Sequence, residues 1–318
     1  IHERLVGSEM CIRDSNDKWS MVAGIRADDN NIYGTFFTPR LNIRYEPITG
    51  TVFRFSAGRG QRTANIFAEN NSLMVSQRRF LLSMPQQNNY AYSLQPEISW
   101  NKGISLDQKL NLFGNPASIS LDYFRNDFLN QVIVDLETAT KVEIYNLNGK
   151  SYSNSLQAEL NLTPLDKLDL RIAYRYFDVK QTYNGVLLDR PFIAKHRAFF
   201  SLDYATSNDW KFNYTVTFNG KKRIVNPYES YISFIPPSSS PTYFIMNAQI
   251  SKSIDQSSPM DFYVGVENIG NFFQKNTIII PNDPFSRGFD ASYVWGPVTG
   301  RMLYAVSYTH LTLPTNRE

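Results

Sequence analysis

Few stretches of this sequence hold residues that could do chemistry. "GRGQRT" (58–63) has the outline of a phosphate-binding loop. It lacks the third glycine and the Lys-Ser/Thr pair that would cradle a phosphate. It reads as a strand passing into an exposed loop, with Arg59 and Arg62 available to an anionic ligand. "NDPFSRGFD" (282–290) offers the carboxylates of Asp283 and Asp290, oxygen ligands of the kind calcium takes. Their spacing matches no calcium loop, and a solvated turn is the simpler account. Lys221, Lys222 and Arg223 close a strand. They form either a solvated charge run or a contact for phosphate groups through charge-assisted hydrogen bonds. Tyr228, Tyr231 and Phe234 follow in the same loop, as an aromatic ligand platform or as packing within the loop.

Catalytic inventories are thinner still. The single cysteine is Cys11 and the histidines are His2, His196 and His310. Disulfide frameworks and Cys/His zinc sites are therefore excluded. A nucleophile–histidine mechanism would rest on His196, at the start of "KHRAFFSLDY", and no nucleophile motif accompanies it. A surface or lumen-facing histidine is the simpler reading. No enzyme activity, cofactor or metal is expected. The net charge is +3, from 32 basic and 29 acidic residues mixed along the chain. Nucleic-acid binders concentrate their positive charge, so that class is set aside.

The elements that position these residues are strands. "WKFNYTVTFNGKK" alternates from its first residue: Trp210, Phe212, Tyr214, Val216 and Phe218 against Lys211, Asn213, Thr215, Thr217 and Asn219. "RLNIRY", "SLQAELNL", "KLDLRIAYRY", "RAFFSLDY" and "DFYVGVEN" do the same. No segment sustains a helical period with caps. About twelve strands are expected between residues 20 and 305, most longer than the usual 5–6 residues of a soluble sheet. Their length suits a tilted bilayer crossing, which needs about 9–11. Aromatics are 14% of the chain, yet the mean hydropathy is −0.35, as alternation would produce. No run is long and apolar enough for a membrane-spanning helix.

Connection lengths carry more information. "PITG", "LFGNP", "TPLD", "TSND" and "DQSSP" are short and rich in turn residues, and they alternate with mostly long connections at 61–93, 135–151, 181–194, 221–241 and 269–297. Short turns at one end and long loops at the other are the habit of outer-membrane barrels, and a soluble sandwich has no reason to sort loops by parity. Charged residues such as Arg40, Arg44, Glu159, Asp169 and Arg171 share the polar face of their strands. A soluble protein would expose that face to water; in a membrane barrel an outward mid-membrane Arg or Lys costs about 2–4 kcal/mol, so there the apolar set must face lipid and the polar set the lumen. Trp210 is then a girdle residue at the short-turn side, with Phe212, Tyr214, Val216 and Phe218 facing lipid.

Several phrases carry a resemblance. "RFSAGRGQRTANIFAENNSL", "PEISWNKGISL", "SLDYFRNDFLNQVIVDL", "LRIAYRYFDVKQTYNG", "YFIMNAQISKSI", "FYVGVENIGNF" and "VWGPVTGRMLYA" follow one another in this order. The set resembles the barrel of TonB-dependent outer-membrane receptors, in a style similar to those of Bacteroidota, over about 20–305. The resemblance implies an all-β, antiparallel, up-and-down transmembrane barrel fragment, about 12 strands of about 22. It implies a bacterial outer-membrane location and TonB-driven import of a scarce, bulky ligand such as a ferric siderophore, cobalamin or a glycan. It also implies an N-terminal plug and an energy-transducing TonB complex, neither contacted within this chain, and an outer-membrane lipid and lipopolysaccharide surround. Arg59 and Arg62 would then face ligand or plug, Tyr228, Tyr231 and Phe234 would be loop contacts for ligand, and Lys221 to Arg223 would meet lipopolysaccharide phosphates. Residues 1–15 and 306–318 resemble adapter read-through and are set outside the partial barrel of 16–305. Two rival readings stay open: a plug-less porin, which predicts a closed twelve-stranded barrel, and a secreted all-β hydrolase or binding module.

Overall fold

The computed structural model describes residues 8–15, 18–82, 90–112, 114–138, 140–225, 237–254 and 260–309, without side chains for 8–15. In chain order the strands are β1 (Ser8–Ser15), β2 (Trp19–Asn30), β3 (Gly34–Ile48), β4 (Thr51–Arg62), β5 (Arg79–Leu82), β6 (Glu97–Leu112), β7 (Asn115–Asn130), β8 (Val132–Asp135) and β9 (Lys141–Asn146). They continue as β10 (Ser151–Leu165), β11 (Leu168–Tyr183), β12 (Val186–Asp189), β13 (His196–Ala205), β14 (Trp210–Asn219), β15 (Tyr243–Ile254), β16 (Met260–Glu267) and β17 (Met302–Thr309). Helix is confined to a four-residue piece, Ile66–Glu69, and two short 3-10 turns.

One antiparallel sheet runs β1-β2-β3-β4-β6-β7-β10-β11-β13-β14-β15-β16-β17, with β12 folded back on β11. Every neighbour on that path is the next long strand in sequence, the up-and-down topology that the alternation predicts. Among the described residues no pairing joins β1 to β17, so the wall is open and not the closed barrel of the porin alternative. At its ends, β1 pairs with β2 from Ser8 to Ser15, and β17 pairs with β16 as far as Thr309. Both reach into stretches set outside the fold. The physical reason is that a bare sheet edge offers main-chain donors and acceptors to any extended neighbour, whatever its side chains.

Four of the five short turns fall within the described residues, and each of these has a residue in the left-handed region: Gly50 (φ 91), Gly114 (φ 84), Lys167 (φ 64) and Asp209 (φ 58). Register then fixes the faces. Phe212 lies opposite both Tyr204 and Ile250, and Tyr204 opposite Leu168. The same face carries Leu160, Ile119, Ile104 and Phe55. Large apolar residues on it are exposed, among them Ile104, Leu121, Ile172, Trp210 and Ile250. Aromatic pairs gather at its short-turn end: Trp19 stacks on Tyr45 with centroids 4.0 Å apart, and Lys252 sits over Trp210. On β11 the apolar series runs from Leu168 to Tyr176. Eight steps of about 3.3 Å at a tilt of roughly 40° span about 20 Å, close to the apolar height of an outer-membrane barrel.

The opposite face is polar and cross-linked. Arg54 pairs with Asp107, Arg171 with Glu159, and Asn213 donates to Asp203. Neither face of the wall holds a closed core. The large side chains buried most completely are Ile66, Val142, Ile144, Ile133 and Ile279, all in the long connections.

Candidate functional site

The long connections β4–β6, β7–β10, β11–β13, β14–β15 and β16–β17 all leave the same end of the sheet, because each follows an upward strand. There they form a cap. β5 from the first connection pairs in parallel with β9 from the second, and β8 pairs with β9. Ile66, Leu73, Leu94, Val142 and Ile144 pack between these segments, flanked by Phe80 and Val134. A second cluster joins the fourth and fifth connections through Ile224, Ile279 and Tyr293, with Phe192 of the third packed against it. Charge ties the clusters together. Arg78 Nε donates to Asp290 Oδ2 at 3.0 Å, and its Nη1 reaches Leu136 O at 3.1 Å, so one guanidinium spans three connections. Asp290 Oδ1 accepts from the Ser292 amide and hydroxyl. Asp290 is thus a buried clasp, neither a calcium ligand nor a solvated turn.

Lys222 and Arg223 belong to the same cap. The Lys222 ammonium donates to Tyr243 Oη and Trp295 O, and Arg223 donates to Glu137 Oε2 at 2.6 Å and Asp189 O at 3.2 Å. Only Lys221 of the triplet is exposed. Lys222 and Arg223 are turned to neighbouring connections, whose carbonyls and carboxylates take up their donors. Tyr228, Tyr231 and Phe234 lie outside the described residues.

Two recesses open near the cap. One of ≈ 520 Å³ sits at the long-loop end of β2–β4 and is lined by Arg26, Arg40, Arg59, Arg62 and Asp28 among others. Arg26 Nε donates to Asp28 Oδ1 at 2.7 Å. Arg59 lies opposite Trp100 and Arg62 opposite Glu97, so the two leave β4 on opposite faces. The β3–β4 ladder ends at Arg40 with Gly58; above it Arg59 Nη1 turns to Phe37 O at 2.6 Å and still lines the recess. Arg62 pairs with Glu97 at 2.5 Å and with Glu69 at 2.9 Å. Partial burial alone would raise the Glu69 carboxyl; the Arg62 guanidinium and the Asn65 amide outweigh it and hold it below the ordinary value.

The second recess, ≈ 510 Å³, lies under the cap, between Arg62, Glu97, Gln131, Gln181, Tyr183 and Phe192. A buried amide chain floors it: Ser151 Oγ and Gln181 Nε2 both donate to Gln131 Oε1, and Tyr183 Oη donates to Gln181 Oε1. None of these four residues stands out in the sequence. The one available signal is a polar residue where strand alternation should bring an inward side chain. Among the described residues no cluster of three or more His, Cys, Asp or Glu is placed to hold a metal.

An up-and-down wall with one apolar face, one polar face and one capped end has the pattern of a membrane barrel. The family model described as TonB dependent receptor-like, beta-barrel matches residues 12–269. The chain belongs to that family. TonB-dependent receptor barrels lie in the bacterial outer membrane, and this one is such a barrel wall. Solved receptors share its fold. The ferric enterobactin receptor PfeA of Pseudomonas aeruginosa superposes with a TM-score of 0.69 at 17% identity, covering 96% of this chain and 44% of its own. The siderophore receptor PirA of Acinetobacter baumannii gives 0.66 at 16% identity, covering 96% and 45%. The ferric-catecholate import receptor Fiu of K12 E. coli gives 0.65 at 10% identity, covering 96% and 44%. The chain spans a little under half the length of each solved receptor. Comparison with curated proteins finds no match.

On this TonB-dependent receptor wall, β14 carries Trp210, Phe212, Tyr214, Val216 and Phe218 on one face, Trp210 and Phe212 exposed and the rest half-buried. His196 is exposed beside Tyr176 on that same face, and its Nδ1 meets Tyr174 Oη at 2.7 Å. It is a surface histidine and not a lumen one.

Proposed function

We propose that this chain forms part of the wall and loop cap of an outer-membrane receptor that imports a scarce, bulky ligand, with TonB supplying the energy and a plug domain filling the lumen. The observation that carries this is the cap itself. Five long connections interlock at one end, and beside them the ends of β2–β4 form a recess lined by Arg26, Arg40, Arg59 and Arg62. A diffusion pore has little use for so much ordered structure over its mouth. The arginine lining favours an anionic ligand over cobalamin or a neutral glycan, and a ferric siderophore complex has that character. The solved neighbours PfeA, PirA and Fiu are described as siderophore or ferric-catecholate receptors, which supports the same reading. In this proposal the apolar face, Trp210 to Phe218 included, meets lipid.

The test is uptake of a panel of iron-55 siderophores, cobalt-57 cobalamin and labelled oligosaccharides by iron-starved cells carrying the receptor, with and without TonB. Accumulation of an anionic ferric siderophore that stops when TonB is deleted is the expected result. TonB-independent entry of all small solutes would favour the porin alternative.

A further inference from the structure

Three Asn-Gly pairs stand in the chain: Asn148–Gly149, Asn184–Gly185 and Asn219–Gly220. An asparagine before glycine can react with its own main chain, because no Cβ shields the next amide nitrogen. The reaction needs a side chain that can swing and an amide that is not already donating. Two of the pairs fail that requirement. Asn184 Nδ2 donates to the buried carboxylate of Asp135 at 3.0 Å, and its main-chain N donates to Tyr145 Oη at 3.3 Å. Asn219 is buried at the end of β14, and the Gly220 amide donates to His196 O at 2.8 Å. Asn148 differs on both counts. It is exposed in the connection between β9 and β10, and among the described residues neither its side chain nor the Gly149 amide has a hydrogen-bond partner.

The glycine is not dispensable there. Gly149 has φ 133, and an added Cβ would lie 2.6 Å from Thr182 Oγ1. The connection is also short and held at both ends. Leu147 N donates to Gln131 O at 2.7 Å, Lys150 N to Thr182 Oγ1 at 2.9 Å, and Thr182 N to Lys150 O at 3.0 Å. We propose that Asn148 is a self-modification site, which the folded receptor converts to aspartate and isoaspartate while Asn184 and Asn219 stay intact. The Gly149 nitrogen loses its proton to hydroxide and forms a bond to Asn148 Cγ. The Cγ–Nδ2 bond breaks, and the side-chain nitrogen leaves as ammonia with a proton from water. Water then opens the cyclic imide at either carbonyl. One opening gives aspartate; the other passes the main chain through the side-chain carbons and frees the former main-chain carboxyl. The net exchange is water in and ammonia out, with no oxidant or reductant. Either product places a carboxylate close to Lys150 in sequence. Isoaspartate also adds one carbon to the main chain between the anchors at Leu147 and Lys150. Gln131 belongs to the amide chain that floors the second recess, so the strain falls on that floor.

The test follows the receptor, folded in non-ionic detergent, through incubation in mildly alkaline buffer. Peptide mass spectrometry reads the amide-to-acid mass gain at each of the three pairs, and enzymatic methyl transfer to isoaspartate reads the rearranged product. The same chain kept unfolded in urea gives the reference rates, where only local sequence acts. All three pairs are expected to convert in urea. In the folded receptor Asn148 should keep its urea rate to within a few fold, whereas Asn184 and Asn219 should slow by about tenfold or more, since local structure must open first. Aged protein should lose hydrogen-exchange protection at the Leu147 and Lys150 amides. Aged Asn148→Gln protein, whose longer side chain closes the ring poorly, should keep it. Equal folded-state rates at the three pairs overturn the proposal. So does an Asn148 that stays intact in the folded receptor. Equal loss of protection in the aged native and Asn148→Gln proteins would sever the modification from the recess floor.

Discussion

The Arg78 guanidinium and the Asp290 carboxylate meet at 3.0 Å with side-chain exposures of 4% and 0%. They come from connections 212 residues apart, and main-chain bonds from Gln77 to Phe289 and from Ala291 to Val75 flank the ion pair. Removing one partner strands the other charge away from water, at a cost of about 3–5 kcal/mol. Asp290→Asn should therefore release the β4–β6 and β16–β17 connections from each other while the strands of the wall stay protected from hydrogen exchange. The paired change Arg78→Leu/Asp290→Leu should recover part of the loss. Uniform loss of protection across wall and cap would refute the idea of a local clasp.

Neighbouring residues of β14 give a sharp contrast. Val216 and Thr217 point to opposite faces near the middle of the strand. Val216→Arg should cost about 2–4 kcal/mol in refolding into bilayers. Thr217→Arg, on the polar face, should cost well under half of that. Equal penalties would remove the assignment of faces.

Gly103 sits under the Phe124 ring and beside Ser56, where an added Cβ would overlap both. Gly103→Ala should push the ring aside and destabilise the wall by about 1–3 kcal/mol, read as a lower temperature for the gel shift of the folded barrel. Gly60→Ala serves as the comparison, because its new Cβ would find only Ser99 Oγ at 3.6 Å. A Gly103→Ala protein as stable as Gly60→Ala would show that the ring has room to move.

Acid should act on the rim. The Glu69 carboxyl is held below the ordinary glutamate value of 4.5. A carboxylate with a lowered folded-state value contributes stability above its unfolded value, and that contribution is lost as pH falls through the folded one. Protection of the amides around the 66–69 helical turn should thus fall as the pH drops below about 4.5, the ordinary glutamate region, and Glu69→Gln should flatten the response. An identical acid response in the variant would place the titrating group elsewhere.

The wall was legible because period-two alternation is a local signal, and lipid on one side with water on the other enforces it along every strand. The alternating stretches "KLDLRIAYRY" and "WKFNYTVTFN" fall on β11 and β14 as expected. The cap was not legible. β5, β8 and β9 are four to six residues long, too short for a periodic signal, and Val132 to Asp135 looked like the end of the strand before it. The clasp joins residues 212 positions apart. Asp290 is surrounded in sequence by Gly, Phe and Ser, the composition of an exposed turn, and only the arrival of Arg78 makes its burial tolerable. The partners of Lys222 and Arg223 were hidden for the same reason: a basic run looks solvated until the loops that receive it are in place. Arg62 drew notice in the sequence, but its partners Glu69 and Glu97 did not, because they lie on the connection and on the next strand.

Wall and cap are held by different forces, and temperature separates them. The wall has no interior of its own, and its strands are joined by main-chain hydrogen bonds that a hydrocarbon surround cannot replace. The cap, built on Ile66, Val142, Ile144 and Ile279, is held as a water-soluble domain is, by apolar surface withdrawn from water. That driving force is largely entropic near room temperature and weakens on cooling. Chilling such a molecule loosens its cap and leaves its open wall intact, so the loop end is the part that senses the cold.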